Sequence, residues 1–74
     1  MKEELVEIIE ELTGEEGFED NQDLVGSGIL DSLALMGLVS ELSDRFGVTV
    51  TVAELIPQNF KSLDTIIALI ESLK

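Results

Sequence analysis

Seventy-four residues suffice for one small domain, and without cysteine or histidine the chain cannot form disulfides, thiolate metal sites or imidazole-based catalytic centres. Sixteen acidic residues against four basic ones give a formal net charge of −12, which repels nucleic acid and anionic lipid and attracts partners with a basic surface. We therefore predict a single domain over residues 1–74 that is not an enzyme and binds neither a metal ion nor nucleic acid.

The first segment has the apolar spacing of an amphipathic helix. Four apolar residues recur at positions i, i+3, i+4 and i+7, opposite a row of glutamates: Leu5, Ile8, Ile9 and Leu12. This pattern predicts a first helix over residues 2–13, which Gly14 ends. The next stretch, residues 14–30, contains four glycines and no sustained period, so we expect a long loop. Its apolar residues are expected to anchor it to the core: Phe18, Leu24, Val25 and Leu30.

A second helical pattern extends from Ser32 to Phe46 and is followed by Gly47, a residue typical of helix ends. Five apolar residues fall on one stripe when successive residues are turned by about 100°. This stripe is expected to face the core and consists of Leu35, Leu38, Val39, Leu42 and Phe46.

The last third of the chain predicts one short and one longer helix. Thr51 and Glu54 have the spacing of a capping box, which indicates a helical turn that Pro57 closes. Ser62 is a candidate cap for a last helix with the apolar stripe Leu63, Ile66, Ile67, Ile70 and Leu73. Residues 48–51 alternate as in a strand, but no partner strand is predicted. The predicted fold is therefore all-α: a small four-helix bundle with three longer helices, one short helix and a long loop between helices one and two.

The outward face of the second helix combines apolar and polar residues. By helical phase, this face and its flank carry Leu33, Met36, Gly37, Ser40 and Asp44. Single exposed apolar side chains are common in proteins, and the loop could also fold over them. The alternative is that they form a docking surface for another protein.

Ser32 follows Asp31 where the loop becomes the second helix. Its hydroxyl is therefore expected on the first helical turn, near free backbone N–H groups and the positive end of the helix dipole. An anion attached to this oxygen would be stabilised there. The alternative reading is that Asp31 or Ser32 serves only as the N-cap.

The segment LVGSGILDSLALMGLVSELSDRFGV, residues 24–48, together with the acidic helix before it and the capped helices after it, resembles the acyl carrier protein family. The resemblance implies that Ser32 receives a 4′-phosphopantetheine arm from coenzyme A and that the thiol of the arm carries the cargo as a thioester. It further implies that Asp31 and Leu33 flank the modified serine as recognition positions, and that Phe46 is the apolar residue that closes the helix. Ser27 is the next candidate for modification.

Two features of the segment bear on the cargo. Carriers of fatty-acid synthesis usually have acidic residues directly after the motif, whereas here only Glu41 and Asp44 put negative charge on the second helix. The tripeptide Gly28-Ile29-Leu30 is more similar to D-alanyl carriers and to stand-alone carriers of specialised biosynthesis. The resemblance therefore leaves fatty-acyl, D-alanyl, other aminoacyl and polyketide cargo open.

The same resemblance implies the partners. They are a holo-carrier-protein synthase, which is a phosphopantetheinyl transferase, an acyl- or aminoacyl-loading ligase, and downstream transferases or synthases. We expect a cytoplasmic monomer with no membrane span, since no apolar run is long enough for a signal peptide or a spanning helix. The rival function is an acidic helical interaction module without a covalent arm, which would bind a partner through the second helix.

The loop also carries the densest acidic cluster of the sequence. An EF-hand that starts at Asn21 would need a glutamate where Ser32 stands, so that type of calcium site is not predicted. Weak binding of divalent cations to the loop carboxylates is the remaining possibility, and its members would be Glu15, Glu16, Glu19, Asp20 and Asp23.

Overall fold

The computed structural model describes residues 2–74 and has three α-helices. They are α1 (Lys2–Thr13), α2 (Ser32–Phe46) and α3 (Leu63–Leu73), and two short 3₁₀ turns, Val52–Glu54 and Pro57–Phe60, connect α2 to α3. No strand occurs within residues 2–74, so the predicted all-α class is confirmed. The predicted bounds of the first two helices are confirmed as well.

The single short helix of the prediction is divided in two, and the expected role of Pro57 is wrong. The first turn already ends at Glu54, and Pro57 occupies the first position of the second turn. Proline suits that position because its fixed φ is helical and its missing N–H would have no intrahelical acceptor. At the start of the first turn, the Glu54 carboxylate accepts hydrogen bonds from the Thr51 N–H at 3.0 Å and from its hydroxyl at 2.6 Å.

All three helices and the second 3₁₀ turn supply side chains to one core. α1 packs against both α2 and α3, and α3 packs against the turn Pro57–Phe60. The fully buried side chains are Leu5, Ile8, Ile9, Leu24, Leu38, Leu42, Phe60, Leu63, Ile66 and Ile70. Removing these apolar surfaces from water is the main stabilising contribution in a chain that has no disulfide.

The core differs from the predicted stripes at several positions. Leu12 was expected inside but is 37% exposed, because the last turn of α1 faces Gly37 of α2 instead of the interior. Val48, Phe60 and Leu69 lie on none of the predicted stripes and are buried. Phe60 belongs to a turn of four residues, which is too short to show a helical period.

The long loop is held against the C-terminal part of the chain. Leu24 and Leu30 are buried, and Phe18 and Val25 pack at the margin of the core, so the predicted anchors are confirmed. The Leu24 N–H donates a hydrogen bond to the Lys61 carbonyl at 2.6 Å. The Asp64 N–H donates to the Asp20 carbonyl at 3.1 Å. These bonds fix the loop that leads into α2.

Glycine residues end both α1 and α2. Gly14 follows α1 with a φ of +75° and donates its N–H to the Glu10 carbonyl at 2.8 Å. Gly47 ends α2 with a φ of +68° and donates to the Ser43 carbonyl at 3.1 Å. Only glycine adopts this left-handed conformation without steric cost. The predicted stops of the first two helices are therefore confirmed.

Candidate functional site at the start of α2

Asp31 is the N-cap of α2. Its backbone is extended, and its Oδ1 accepts a hydrogen bond from the Ala34 N–H at 2.8 Å. Its carbonyl accepts the first intrahelical bond from the Leu35 N–H, also at 2.8 Å. Ser32 is therefore the first residue within the helix and not its cap, so of the two candidate caps the structure selects Asp31.

The Ser32 side chain is exposed at the end of the helix. Because the Asp31 carboxylate supplies the cap, the Ser32 hydroxyl is not needed for capping. The N–H groups of Ser32 and Leu33 belong to the first turn, where no intrahelical acceptor is available. An anion on the Ser32 oxygen would lie at the positive end of a helix of 15 residues. The Ser32 hydroxyl is thus accessible at a position that favours a negatively charged group.

The outward face of α2 is exposed as its helical phase predicts. Leu33 is 84% exposed and Met36 is 62% exposed, whereas Leu38 and Leu42 are completely buried on the other side. The polar residues expected on the outward face, Ser40 and Asp44, are exposed too. The loop therefore does not cover Leu33 and Met36, and both side chains contact solvent.

Gly37 does not lie on this face in the way the helical phase predicts. It is only partly exposed, and a Cβ added to it would come within 2.8 Å of a terminal methyl carbon of Leu12. Glycine at this position lets α1 approach α2 closely. Gly37 thus borders the outward face and takes part in the contact between the two helices.

A groove lies between the end of α1, the loop and the start of α2. It encloses about 300 Å³ and is lined by Leu12, Thr13, Glu15, Gly28, Ile29, Asp31, Leu33 and Ala34. Two of its residues, Asp31 and Leu33, flank Ser32 in the sequence. Sequence reasoning did not identify this groove, because its lining comes from three separate segments.

Two exposed apolar residues near the first 3₁₀ turn were also missed. Val52 is 85% exposed and Ile56 is 44% exposed. For Val52 the sequence does contain an indication of exposure. This apolar residue lies between Thr51 and Glu54 of the capping box, in a turn that is too short to bury it.

The resolved electrostatic contacts are surface contacts. Arg45 pairs with Glu41 at 3.0 Å on the same helix, and with Glu11 of α1 at 4.0 Å. Lys2 pairs with Asp20 of the loop. Hydrogen bonds from the side chain and backbone of Thr51 lower the pKa of Glu54 below its ordinary value. The exposed ion pairs of Arg45 and Lys2 contribute little to the stability of the fold.

The acidic loop does not form a metal centre in this structure. Within residues 2–74, no three acidic side chains converge in a way that could hold a metal ion. One member of the predicted cluster, Asp20, is paired with Lys2, and another, Asp23, accepts a hydrogen bond from the Gly26 N–H at 2.7 Å. The possible divalent-cation site in the loop is therefore not supported. Over the same residues, no helix has the length and apolar character to cross a membrane.

Comparison with known proteins gives the family. The family model described as "Phosphopantetheine attachment site" matches residues 3–70. The chain is 38% identical over 69 residues to the D-alanyl carrier protein of Streptococcus suis, which covers 92% of this chain and 87% of that protein. It is 32% identical over 74 residues to the D-alanyl carrier protein of Leuconostoc citreum, covering 99% of this chain and 95% of the relative.

A third similar protein is the D-alanyl carrier protein of Listeria monocytogenes, 33% identical over 75 residues, with 99% of this chain and 96% of the relative covered. The resemblance found in the sequence is thereby confirmed, and so is the similarity to D-alanyl carriers. Since the family match and these relatives span nearly the whole chain, the protein belongs to the phosphopantetheine-attachment family and is a non-catalytic carrier that tethers its cargo on a covalent 4′-phosphopantetheine arm.

Proposed function

We propose that Ser32 is the attachment residue and that the cargo of the arm is D-alanine, held as a thioester. The assignment of Ser32 rests on the different roles of Asp31 and Ser32 at the start of α2. Asp31 caps the helix, so the adjacent hydroxyl is left exposed at the positive end of the helix dipole. A transferring enzyme can reach that oxygen without breaking a bond that holds the fold.

The cargo assignment is supported by the relatives and by the charge of α2. The similar proteins described above are D-alanyl carriers. α2 has no acidic residue in its first turn, and Arg45 pairs with Glu41 near its end. The first turns of α2 thus lack the acidic surface that the resemblance associates with fatty-acid carriers.

The partners follow from the chemistry of the arm. We propose that a phosphopantetheinyl transferase attaches it and that a D-alanine-loading ligase loads it, before a downstream transferase or synthase removes the cargo. Their proposed docking surface is the exposed face of α2, with apolar contacts at Leu33 and Met36. The polar contacts would come from Asp31, Ser40 and Asp44, with Gly37 at the border. Since coenzyme A supplies the arm, we propose that the protein is modified in the cytoplasm. We also propose that it is a monomer.

Intact mass tests the attachment. Incubation with coenzyme A and a broad-specificity phosphopantetheinyl transferase should add the mass of one arm to the protein. Ser32→Ala should abolish the gain, while the matched variant Ser27→Ala should retain it, because the Ser27 hydroxyl donates to the Leu24 carbonyl inside the loop. A gain that persists in Ser32→Ala and disappears in Ser27→Ala would move the site to Ser27.

Loading tests the cargo separately. The holo protein should accept D-alanine from a D-alanine-activating ligase with ATP, and it should accept a fatty acid poorly from a fatty-acyl ligase. Preferential loading with the fatty acid would refute the D-alanyl assignment and leave Ser32 as the attachment site.

A further inference from the structure

The groove beside Ser32 is lined by both apolar and acidic residues. The apolar residues are Leu12, Ile29, Leu33 and Ala34, and the acidic residues, here called the rim, are Glu15 and Asp31. Such a combination suits a small group that has both a cationic and an aliphatic part. A groove lined only by apolar side chains would suit a fatty chain better.

The negative charge of this rim has no cationic partner within residues 2–74. None of the ion pairs there includes Glu15 or Asp31, because Lys2 pairs with Asp20 and Arg45 pairs with acids of α1 and α2. In a chain of net charge −12, two acidic residues without an ion pair favour the approach of a cation to the groove.

We propose that this groove binds the aminoacyl end of the protein's own arm, an inference that rests on the proposed attachment at Ser32 and deepens it. The α-ammonium of the aminoacyl thioester pairs with the Glu15 carboxylate. The aliphatic side chain and the apolar part of the pantetheine contact Leu12 and Ile29. The groove thereby favours an aminoacyl cargo over a neutral acyl cargo of equal size.

Because the arm is covalently attached beside the groove, weak binding is sufficient to hold its aminoacyl end there. The arm begins at Ser32, between two residues that line the groove, so its end is presented at a high effective concentration. A single exposed ion pair contributes little, and it changes the ratio of bound to free arm by about 1.4- to 5-fold, which is also the change in occupancy where the bound fraction is small. The bound state is therefore in rapid exchange, which leaves the thioester accessible to partner enzymes.

Two arms that differ only in the amino group provide the test. D-alanyl and propionyl groups are joined to the arm through hydrolysis-resistant amides and transferred to the protein from the corresponding coenzyme A analogues. Backbone amide chemical shifts are then recorded for both loaded proteins. The D-alanyl arm should shift the Gly28 and Ile29 amides by about 1.4- to 5-fold more than the propionyl arm does. The difference should shrink at high salt, where the Debye length falls to about 3 Å.

Charge-neutral variants identify the carboxylate. Glu15→Gln should abolish the difference between the two arms, whereas Glu71→Gln, an exposed control on α3, should preserve it. Equal shifts with both arms, or a difference that survives Glu15→Gln, would overturn the proposal. So would shifts that appear at the groove only after a partner enzyme is added, because the occupant would then be that enzyme. Failure to mount either arm is detected beforehand by mass and would refute the proposed attachment, and the groove inference with it.

Discussion

Replacing Asp31 separates the capping role of this residue from its charge. Asp31→Ala removes the hydrogen bond from the Ala34 N–H to Oδ1, while the backbone bond from the Leu35 N–H to the Asp31 carbonyl remains. Loss of an N-cap side chain costs about 0.5–2 kcal/mol. In a domain of this size, 1 kcal/mol lowers the melting temperature by about 4–8 °C.

Asp31→Asn keeps an acceptor for the same N–H and removes only the negative charge. The lost interaction with the helix dipole is about 0.3–1 kcal/mol. Relief of repulsion in a chain of net charge −12 acts in the opposite direction. The stability of the asparagine variant should therefore lie close to that of the parent protein, and well above that of the alanine variant.

Thermal unfolding followed by far-ultraviolet circular dichroism measures the stability, and intact mass after transfer of the arm measures function on the same samples. Transfer is assayed well below the melting temperature of every variant, so that unfolding does not contribute. If Asp31→Ala and Asp31→Asn melt together, the cap bond does not stabilise α2 and the assignment of Ser32 as a free hydroxyl loses its basis. If Asp31→Asn is stable but is not modified, the transferase recognises the charge of Asp31 in addition to its cap.

Three further predictions concern the phase of α2, the contact between α1 and α2, and the ionised Glu54 in the first 3₁₀ turn. Met36→Glu should impair enzymatic loading with little change in stability, whereas Leu38→Ala should cost about 2–5 kcal/mol in urea unfolding as a core truncation; the reverse pattern would contradict the phase of α2. Gly37→Ala should raise stability by up to about 0.5–1 kcal/mol, because alanine favours the helix and the methyl group of Leu12 that it meets belongs to a partly exposed side chain that can turn away. A fall in melting temperature would show that the contact between Leu12 and Gly37 is rigid. Because the folded-state pKa of Glu54 lies below its ordinary value of 4.5, its contribution to stability should be complete above that pH and disappear as the pH falls through the folded-state pKa; carboxyl chemical shifts during an acid titration check this order.

Local interactions made much of this fold predictable. The stops at Gly14 and Gly47 and the cap at Ser62 depend on residues within one turn of each helix end, and the structure has all three. The Ser62 hydroxyl accepts from the Thr65 N–H, and the Thr65 hydroxyl accepts from the Ser62 N–H. Conformations that neighbouring residues decide can be inferred from a single sequence.

The candidate site was predictable in part for the same reason. The phase of α2 placed Leu33 and Met36 outside and Leu38 inside, since a helix of 15 residues shows its period clearly. Which residue of the Asp31–Ser32 pair caps the helix was left open by the sequence, because both side chains are good caps. Only the backbone geometry assigned that role to Asp31.

The sequence by itself determined the three longer helices, the glycine stops of the first two, the cap of the last, the acidic surface and the serine at the start of α2, because each depends on composition or on residues close together in the chain. The tertiary structure alone decided that Leu12 meets Gly37 at the surface, that Phe60 enters the core from a turn without a period, and that three segments enclose a groove beside Ser32. These features depend on how distant elements approach one another, and packing between distant segments leaves no periodic signal in the sequence.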